Sequence, residues 1–231
     1  GYAISPGFGA LHKYLQSRPL NVVKPETFFS SLGYDAIGPV DGHDISALVQ
    51  AFSHVKTGDR TALVHVKTEK GRGFAPANSH PVKMHFSFPF DLETGALKEP
   101  PTTRCYQDVA AGAVGEIMDR DTSVAAITPS TLYATGLAPV FTRHPTRCFD
   151  PGMEEQHAMT IAAGLAKSGV KPVVFYQSTF MQRAFDQLFH DICFANLPML
   201  LLSVRSGFAG YDNPTHHGIY DISYLQCLPN L

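Results

Sequence analysis

Short apolar runs alternate with amphipathic segments along the second half of the chain. The runs predict strands at 123–128, 147–150, 172–176 and 199–204, and the segments around them predict helices near 106–119, 133–142, 155–167 and 179–195. Nearly continuous apolar strands are typical of parallel sheets that are buried on both faces, and the intervening helices supply the crossovers that such sheets need. The pattern therefore predicts an α/β fold in which helices cover a parallel sheet.

The N-terminal part of the chain alternates in a similar way. The pattern predicts helices at 1–20, 25–33 and 44–57 and strands at 34–40 and 61–67. We expect the third of these helices to bury Leu48, Val49 and Phe52. The apolar run at 61–67 is typical of a buried parallel strand.

Glycine and proline gather between residues 71 and 103, where Phe86, Phe88 and Phe90 alternate with other residues. Clusters of glycine and proline mark loops and linkers. We therefore predict an ordered linker at 76–103. It separates an N-terminal segment, 1–75, from a larger C-terminal domain, 104–231.

The composition excludes several classes of protein. The 231 residues carry a net charge of −2 with a pI of about 6.6, which argues against a nucleic-acid binder with a strongly basic surface. The four cysteines stand far apart, without the spacing of a zinc site or a redox dithiol. No apolar run approaches the roughly 20 residues that a membrane span needs. We therefore expect a globular cytoplasmic protein with reduced thiols.

Polar residues follow each predicted strand of the C-terminal part. They lie at 130–131, 154–157, 177–180 and 205–207. Because parallel strands end at one edge of a sheet and ligands bind there, we predict a site at that edge. The start of a helix stabilises a carboxylate at Glu155, and the guanidinium groups of Arg183 and Arg205 suit a phosphate or a carboxylate.

Two further segments combine glycine with chemically active side chains. The loop 207–218 holds His216 and His217, and histidine is the usual proton donor or acceptor near neutral pH. The basic segment 67–73 is suited to a phosphate but lacks the full P-loop pattern. Structural roles stay open for these residues, such as capping of a helix at 154–157, solvated arginines and a surface loop.

Six segments occur in an order that is far more specific than any one of them alone. They are Ile37 to Asp44, Thr68 to Phe74, Ala126 to Pro129, Glu155 to Ala158, Ser178 to Gln187 and Thr215 to Gly218. In these segments the chain resembles the 1-deoxy-D-xylulose-5-phosphate synthases, which are thiamine-diphosphate enzymes of the transketolase superfamily. The resemblance implies a thiamine-diphosphate-binding fold. In that fold, 1–75 is the C-terminal remnant of the diphosphate-binding domain and 104–231 is most of a pyrimidine-binding domain.

The resemblance also implies a reaction and its partners. Pyruvate adds to the C2 carbanion of thiamine diphosphate and loses CO2, and the resulting carbanion attacks glyceraldehyde 3-phosphate to give 1-deoxy-D-xylulose 5-phosphate. That product leads to isoprenoids, thiamine and pyridoxal. The implied cofactors are thiamine diphosphate and Mg2+. The implied assembly is a cytoplasmic homodimer, or one in the plastid stroma of a plant, without a nucleic-acid or membrane partner.

Functional residues of the family match positions of this chain one by one. Glu155 matches the glutamate that hydrogen-bonds the aminopyrimidine ring and favours its imino tautomer, and Phe180 matches the aromatic side chain that stacks on that ring. Arg183 and Arg205 match arginines that face the sugar phosphate.

Four more residues match the family near the substrate or the cofactor. Asp212 and His216 match a pair near the substrate hydroxyls and carbonyl, with His216 as a candidate proton shuttle. Lys70 and His85 match residues near the cofactor and the substrate. The family holds Mg2+ through a Gly-Asp-Gly motif and an asparagine. No Gly-Asp-Gly occurs in the 231 residues, so no metal ligand is predicted.

Four positions beside these residues depart from the family pattern. Gln177 stands for a tyrosine, Val204 for an aspartate, and Glu154 and Tyr211 for smaller residues. Each departure lies where it can reshape the site or change the acceptor substrate.

Three interpretations of the chain stay open. It is part of a longer synthase, one subunit of a split transketolase-like enzyme, or a non-catalytic relative without the metal site. An edge inside a domain favours the first interpretation, because an unfinished sheet costs stability. A transketolase or a 2-oxoacid dehydrogenase β-subunit would share Glu155 and the sheet, but the segments 37–44 and 178–183 favour the synthase.

Overall fold

The computed structural model describes residues 25–80, 82, 84–85, 87–99, 105–208 and 214–231. The chain divides into two compact units, Gly1–Pro101 and Thr102–Leu231. The helix predicted at 1–20 lies outside the described residues, as do Phe86, Tyr211 and the predicted site residue Asp212.

The described part of the first unit alternates helices with strands. Its elements are α1 (Pro25–Ser31), β1 (Asp35–Asp41), α2 (Ile45–Thr57), β2 (Ala62–Lys67) and α3 (Ala75–Ser79). The two strands pair in parallel, with an irregularity in the register between Ile37 and Val40. The short α3 lies at the start of the predicted linker, where no regular structure was expected.

Two expectations about burial in this unit are wrong. Val49 and Phe52 on α2 are 57% and 54% exposed. The packed side of α2 is centred on the buried Ala51. At about 100° per residue, Phe52 lies about 100° and Val49 about 160° from Ala51 around the helix axis. Strand β2 is half-buried, and its residues Val66 and Lys67 are exposed.

The second unit carries the parallel sheet. Its regular elements are α4 (Tyr106–Arg120), β3 (Val124–Ile127), α5 (Ala138–Arg143), β4 (Cys148–Phe149), α6 (Glu155–Lys167), β5 (Lys171–Gln177), α7 (Ser178–Met181), a 3-10 turn (Gln182–Ala184), α8 (Phe185–Gln187), a π-helix (Leu188–Cys193), β6 (Leu200–Val204), a 3-10 turn (Pro214–His216) and α9 (Asp221–Leu225). The strands lie in the order β4-β3-β5-β6, and each neighbouring pair is parallel. The predicted α/β class is confirmed.

Alternate residues of the central strands enter two separate cores, so helices cover both faces of this sheet. Val173 and Phe175 of β5 belong to the core that includes residues of α4 and α5. Val174 and Tyr176 belong to the core that includes residues of α6 and of the helical segment 178–193. A strand imposes this period of two residues. The two cores hold the carboxyl ends of the strands at one edge.

The four cysteines form no disulfide with one another and are expected to differ in reactivity. Burial raises the pKa of Cys148 to about 11 and also raises the pKa of Cys193, whereas Cys105 and Cys227 are exposed. Because the thiolate is the reactive form, we expect iodoacetamide to alkylate the two exposed cysteines at least about tenfold faster in the native protein. Mass spectrometry of digested samples measures the four rates. Equal native rates would contradict this expectation, and unfolding should equalise them.

Candidate active site

Glu155 is the first residue of α6, follows β4 in the chain, and is almost fully buried. It is 3% exposed, and Nη1 of Arg183 lies 2.8 Å from its Oε2. In the part of the chain that the structure describes, no donor meets Oε2 with hydrogen-bond geometry. The ion pair therefore balances the charge of Glu155 and leaves Oε2 able to accept a directed hydrogen bond. Arg183 already gives Oε2 a charged partner, and a carboxylate oxygen keeps further lone pairs that can accept another hydrogen bond.

Two arginines follow the neighbouring strands β5 and β6. Arg183 lies in the 3-10 turn after α7, and its side chain is 51% exposed. A guanidinium group has five N–H donors, so Arg183 can contact Glu155 and still present donors to an anion. Arg205 directly follows β6 and is half-buried, with a φ of 58° in the left-handed region that side chains seldom adopt.

The buried hydroxyl of Tyr176 connects the first turn of α6 to the sheet by a hydrogen bond. The Oη of Tyr176 on β5 donates a hydrogen bond of 2.6 Å to the backbone carbonyl of Glu155. Burial, together with the negative charge of Glu155, raises the pKa of Tyr176 well above its usual value. The phenol thus stays protonated and remains a donor. Through this hydrogen bond, Tyr176 fixes the backbone of Glu155 relative to strand β5.

Tyr176→Phe is expected to destabilise the protein by about 0.5–1.5 kcal/mol, the net contribution of one buried hydrogen bond. Chemical denaturation measures the change. The matched control is Tyr133→Phe in the same unit, where the side chain is exposed. We expect that control to stay within about 0.5 kcal/mol of the parent. A similar loss in both variants would show that the contact with Glu155 contributes nothing.

The loop that carries His216 folds onto the start of α7. Thr179 Oγ1 donates a hydrogen bond of 2.9 Å to the backbone carbonyl of Thr215. The rings of Phe180 and His216 lie 5.6 Å apart, centroid to centroid, with their planes at 77°. Edge-to-face contact of this kind fixes both rings. The structure therefore brings Phe180 and His216 together. This contact is needed if α7 and the loop contribute to one site.

A second carboxylate joins the ends of β3 and β4. Oδ1 of Asp150 accepts hydrogen bonds from the backbone N–H of Ser130 at 2.7 Å and of Gly152 at 2.9 Å. Ser130 has a φ of 57°, so its backbone is held in a conformation that few side chains favour. Asp150 thus fixes the turn that leads into Glu155.

The first unit brings together two of its predicted site residues. Lys70 Nζ donates a hydrogen bond of 2.6 Å to Nδ1 of His85, because an ammonium group can only donate. Both side chains are exposed. In the same unit the backbone N–H of Glu69 donates to Nε2 of His43 at 2.8 Å. This bond joins two of the segments on which the family resemblance rests.

Comparison with known proteins assigns the second unit to a family. The family described as transketolase, pyrimidine binding domain, matches residues 103–231. The chain belongs to this family of transketolase pyrimidine-binding domains. A second family, described as 1-deoxy-D-xylulose-5-phosphate synthase, matches residues 2–68.

Individual relatives of this transketolase-type chain carry the name of the synthase. The 1-deoxy-D-xylulose-5-phosphate synthase of Aquifex aeolicus is 44% identical over 210 residues, which are 91% of this chain and 33% of that protein. Synthase 2 of Geobacter sulfurreducens is 47% identical over 208 residues, which are 90% of this chain and 33% of that protein. The chain thus spans about one third of the length of these relatives, and the predicted resemblance to the synthases is confirmed. Among solved structures, "Split gene transketolase, inactive beta4 tetramer" aligns with a TM-score of 0.44 and 25% identity over 54% of this chain and 40% of that one.

Several residues that shape the site of this pyrimidine-binding domain were not singled out in the sequence. Tyr176, Asp150 and Asp221 each hold an element that carries a predicted residue. Tyr176 has the pattern of an ordinary core strand residue. The two aspartates carry a weak local signal, since each stands where a strand ends or a helix begins.

Two absences apply to the described residues alone. Within residues 25–99 and 105–231, less their gaps, no three His, Cys, Asp or Glu side chains are grouped so that they could hold a metal ion. No helix in the same part of the chain is long and apolar enough to cross a membrane. The prediction that this chain supplies no metal ligand stays a prediction.

Proposed function

We propose that this transketolase-type chain is part of a thiamine-diphosphate-dependent transferase. The enzyme condenses pyruvate with glyceraldehyde 3-phosphate, releases CO2 and gives 1-deoxy-D-xylulose 5-phosphate. The observation that carries the proposal is Glu155, a buried carboxylate at the start of α6 whose Oε2 lies 2.8 Å from the half-exposed guanidinium group of Arg183. The two synthases named above support the choice of reaction, since they are 44% and 47% identical to the chain.

The surroundings of Glu155 fit the aminopyrimidine ring of thiamine diphosphate. Oε2 can accept a hydrogen bond from the ring, and Phe180 offers a half-buried aromatic face for stacking. When bound, the cofactor supplies the electron sink for the decarboxylation. Glu155 orients the ring and holds the proton that it shares with a ring nitrogen. Burial keeps water from competing for that hydrogen bond.

The phosphate of the acceptor substrate is assigned to Arg183 and Arg205, whose guanidinium groups suit phosphate oxygens. His216 transfers a proton at the substrate oxygen. Its Nδ1 lies 3.0 Å from Oγ1 of Thr215, and an imidazole of this kind is the usual proton donor or acceptor near neutral pH. Asp212 belongs to the same group of residues by the resemblance.

The proposal assigns the remaining cofactor contacts to other parts of the protein. Residues 1–75 belong to a diphosphate-binding domain, 76–103 form the linker and 104–231 form the pyrimidine-binding domain. Lys70 and His85 are assigned to the cofactor and the substrate by the resemblance alone. Mg2+ and most of the diphosphate are held by ligands outside these 231 residues, because the sequence has no Gly-Asp-Gly motif. The complete enzyme is a cytoplasmic homodimer.

A second candidate is one subunit of a split transketolase-like enzyme. The lack of a Gly-Asp-Gly motif in the sequence favours it, since a partner would then bring the metal site. The two candidates share the roles of Glu155 and His216. They differ in whether the protein turns over substrates without a second polypeptide.

The deciding assay supplies the complete enzyme, including the parts outside these 231 residues, with thiamine diphosphate, Mg2+, pyruvate and glyceraldehyde 3-phosphate. It follows CO2 and sugar phosphate by mass spectrometry. Equal amounts of CO2 and 1-deoxy-D-xylulose 5-phosphate are expected. Release of CO2 without this sugar phosphate would contradict the assigned acceptor. No turnover in any combination, together with no binding of thiamine diphosphate, would identify a non-catalytic relative.

A further inference from the structure

The side chain of Asp221, the first residue of α9, joins the ends of two strands. Its Oδ2 accepts a hydrogen bond from Oγ of Ser178 and another from Oγ of Ser203, each at 2.7 Å. Ser178 is 1% exposed and directly follows β5, whereas Ser203 lies on β6. One carboxylate oxygen therefore bridges neighbouring strands at the edge that carries the candidate site.

Each serine stands close to a residue of that site. Ser178 precedes Phe180 by two positions, and Ser203 precedes Arg205 by two. The Oγ atoms of Ser203 and Ser206 are 3.0 Å apart, so hydroxyl groups on both sides of Arg205 are joined. A left-handed backbone, such as that of Arg205, persists where its surroundings hold it.

The loop with His216 closes against the same serine. Gly207 and Gly218 exchange two backbone hydrogen bonds of 2.8 Å at the base of the loop. Gly218 packs so closely on Ser178 that a Cβ atom would lie 2.1 Å from its Oγ. Asp221 follows Gly218 by three residues. The base of the loop, the end of β5 and the carboxylate thus form one packed unit.

The charge of Asp221 makes it a strong acceptor in this unit. Hydrogen bonds to an ionised acceptor are roughly twice as strong as neutral ones. Tyr224 on the same helix has a raised pKa, first because of burial and then because of the negative charge of Asp221. Its phenol therefore stays neutral beside the carboxylate.

We propose that Asp221 is a positioning residue: by joining Ser178 to Ser203 it holds Arg205 and the base of the loop, Gly207 and Gly218, in place. What the site binds rests on the proposed function. The bridge between the strands does not, so the two are separable by experiment.

Amide hydrogen exchange of the full chain tests the bridge. Asp221→Ala removes the acceptor, and Asp221→Asn keeps one oxygen with two lone pairs. The matched control is Asp191→Ala, which removes a carboxylate that accepts a 2.9 Å hydrogen bond from Thr160 elsewhere in the same unit. We expect exchange of the peptide 203–218 to rise about tenfold or more in Asp221→Ala, less in Asp221→Asn, and not in the control.

Ser203→Ala keeps the test valid if Asp221→Ala does not fold. Ser203 is exposed, and its loss leaves the bond between Asp221 and Ser178 in place. We expect a rise of exchange in the peptide 203–218 that is smaller than that of Asp221→Ala. Unchanged exchange in Ser203→Ala and in whichever Asp221 variants fold would overturn the proposal.

Turnover separates this inference from the proposed function. Where the parent protein forms the sugar phosphate, we expect Asp221→Ala to lower kcat/KM for glyceraldehyde 3-phosphate about tenfold, mostly through KM, and Asp221→Asn to restore part of it. Faster exchange with unchanged kcat/KM would overturn the positioning role. Where the parent forms no product, the proposed function fails, and the exchange measurement still decides whether Asp221 holds the loop.

Discussion

Glu155→Gln is expected to lower kcat of the proposed condensation by about 100- to 10,000-fold, the usual range for loss of a positioned acid–base group. Glutamine matches the size of glutamate, but its amide cannot share a proton with the aminopyrimidine ring. The fold should survive, because the variant removes a buried charge and leaves the half-exposed Arg183 in contact with water. We therefore expect Glu155→Gln to lower the rate of the reaction without unfolding the protein.

Steady-state rates of CO2 release and sugar-phosphate formation measure this effect. The matched control is Glu116→Gln in the same unit, where the side chain is exposed on α4. We expect the control to retain activity within about threefold and both variants to unfold at similar temperatures. Parent-like turnover in Glu155→Gln would overturn the assignment of this residue and the proposed mechanism with it.

Gly218→Ala is expected to destabilise the second unit by about 1–3 kcal/mol, the usual cost of forcing atoms into a packed site. A Cβ atom there would lie 2.1 Å from Oγ and 2.6 Å from Cβ of Ser178, and 3.0 Å from the backbone carbonyl of Arg205. Ser178 cannot yield easily, because it is buried and donates to Asp221. The loop must therefore move, and we expect activity to fall together with stability.

Thermal and chemical denaturation measure the change, and Gly164→Ala is the matched control. Gly164 lies within α6 with open space around its Cα, so alanine should stabilise the helix by about 0.5–1 kcal/mol. If Gly218→Ala lowers the free energy of unfolding and Gly164→Ala raises it, the loss at Gly218 comes from its close contacts and not from alanine itself. A neutral Gly218→Ala would show that the loop adapts freely.

Much of the second unit follows from local pattern. The apolar run at 172–176 lies within strand β5, and the segment after Phe149 begins a helix at Glu155 as predicted. The single helix expected at 179–195 is instead a succession of α, 3-10 and π turns. Changes of turn type shift hydrogen-bond partners by one residue, and the hydrophobic period carries no sign of that.

The parts of the site that escaped prediction depend on distant partners. Tyr176 bonds to Glu155, 21 residues earlier, and Ser178 bonds to Asp221, 43 residues later. No pattern of neighbouring residues predicts either hydrogen bond, because a buried tyrosine on a strand and an aspartate at the start of a helix are both common. Glu155, in contrast, stands where a strand gives way to a helix, and that junction is visible in the sequence.

Different hydrogen bonds hold the segment that carries Glu155 and the base of the loop that carries His216, and this separation has an evolutionary consequence. Tyr176 and Asp150 hold the segment that leads into Glu155, whereas Asp221 joins Ser178 to Ser203 beside the base of the loop. The hydrogen bonds to Glu155 and Asp150 come from Tyr176, Ser130 and Gly152, all of which lie outside the loop. Under the proposed function, a lineage with this architecture would be able to change its acceptor substrate through the loop while it inherits the contacts of Glu155.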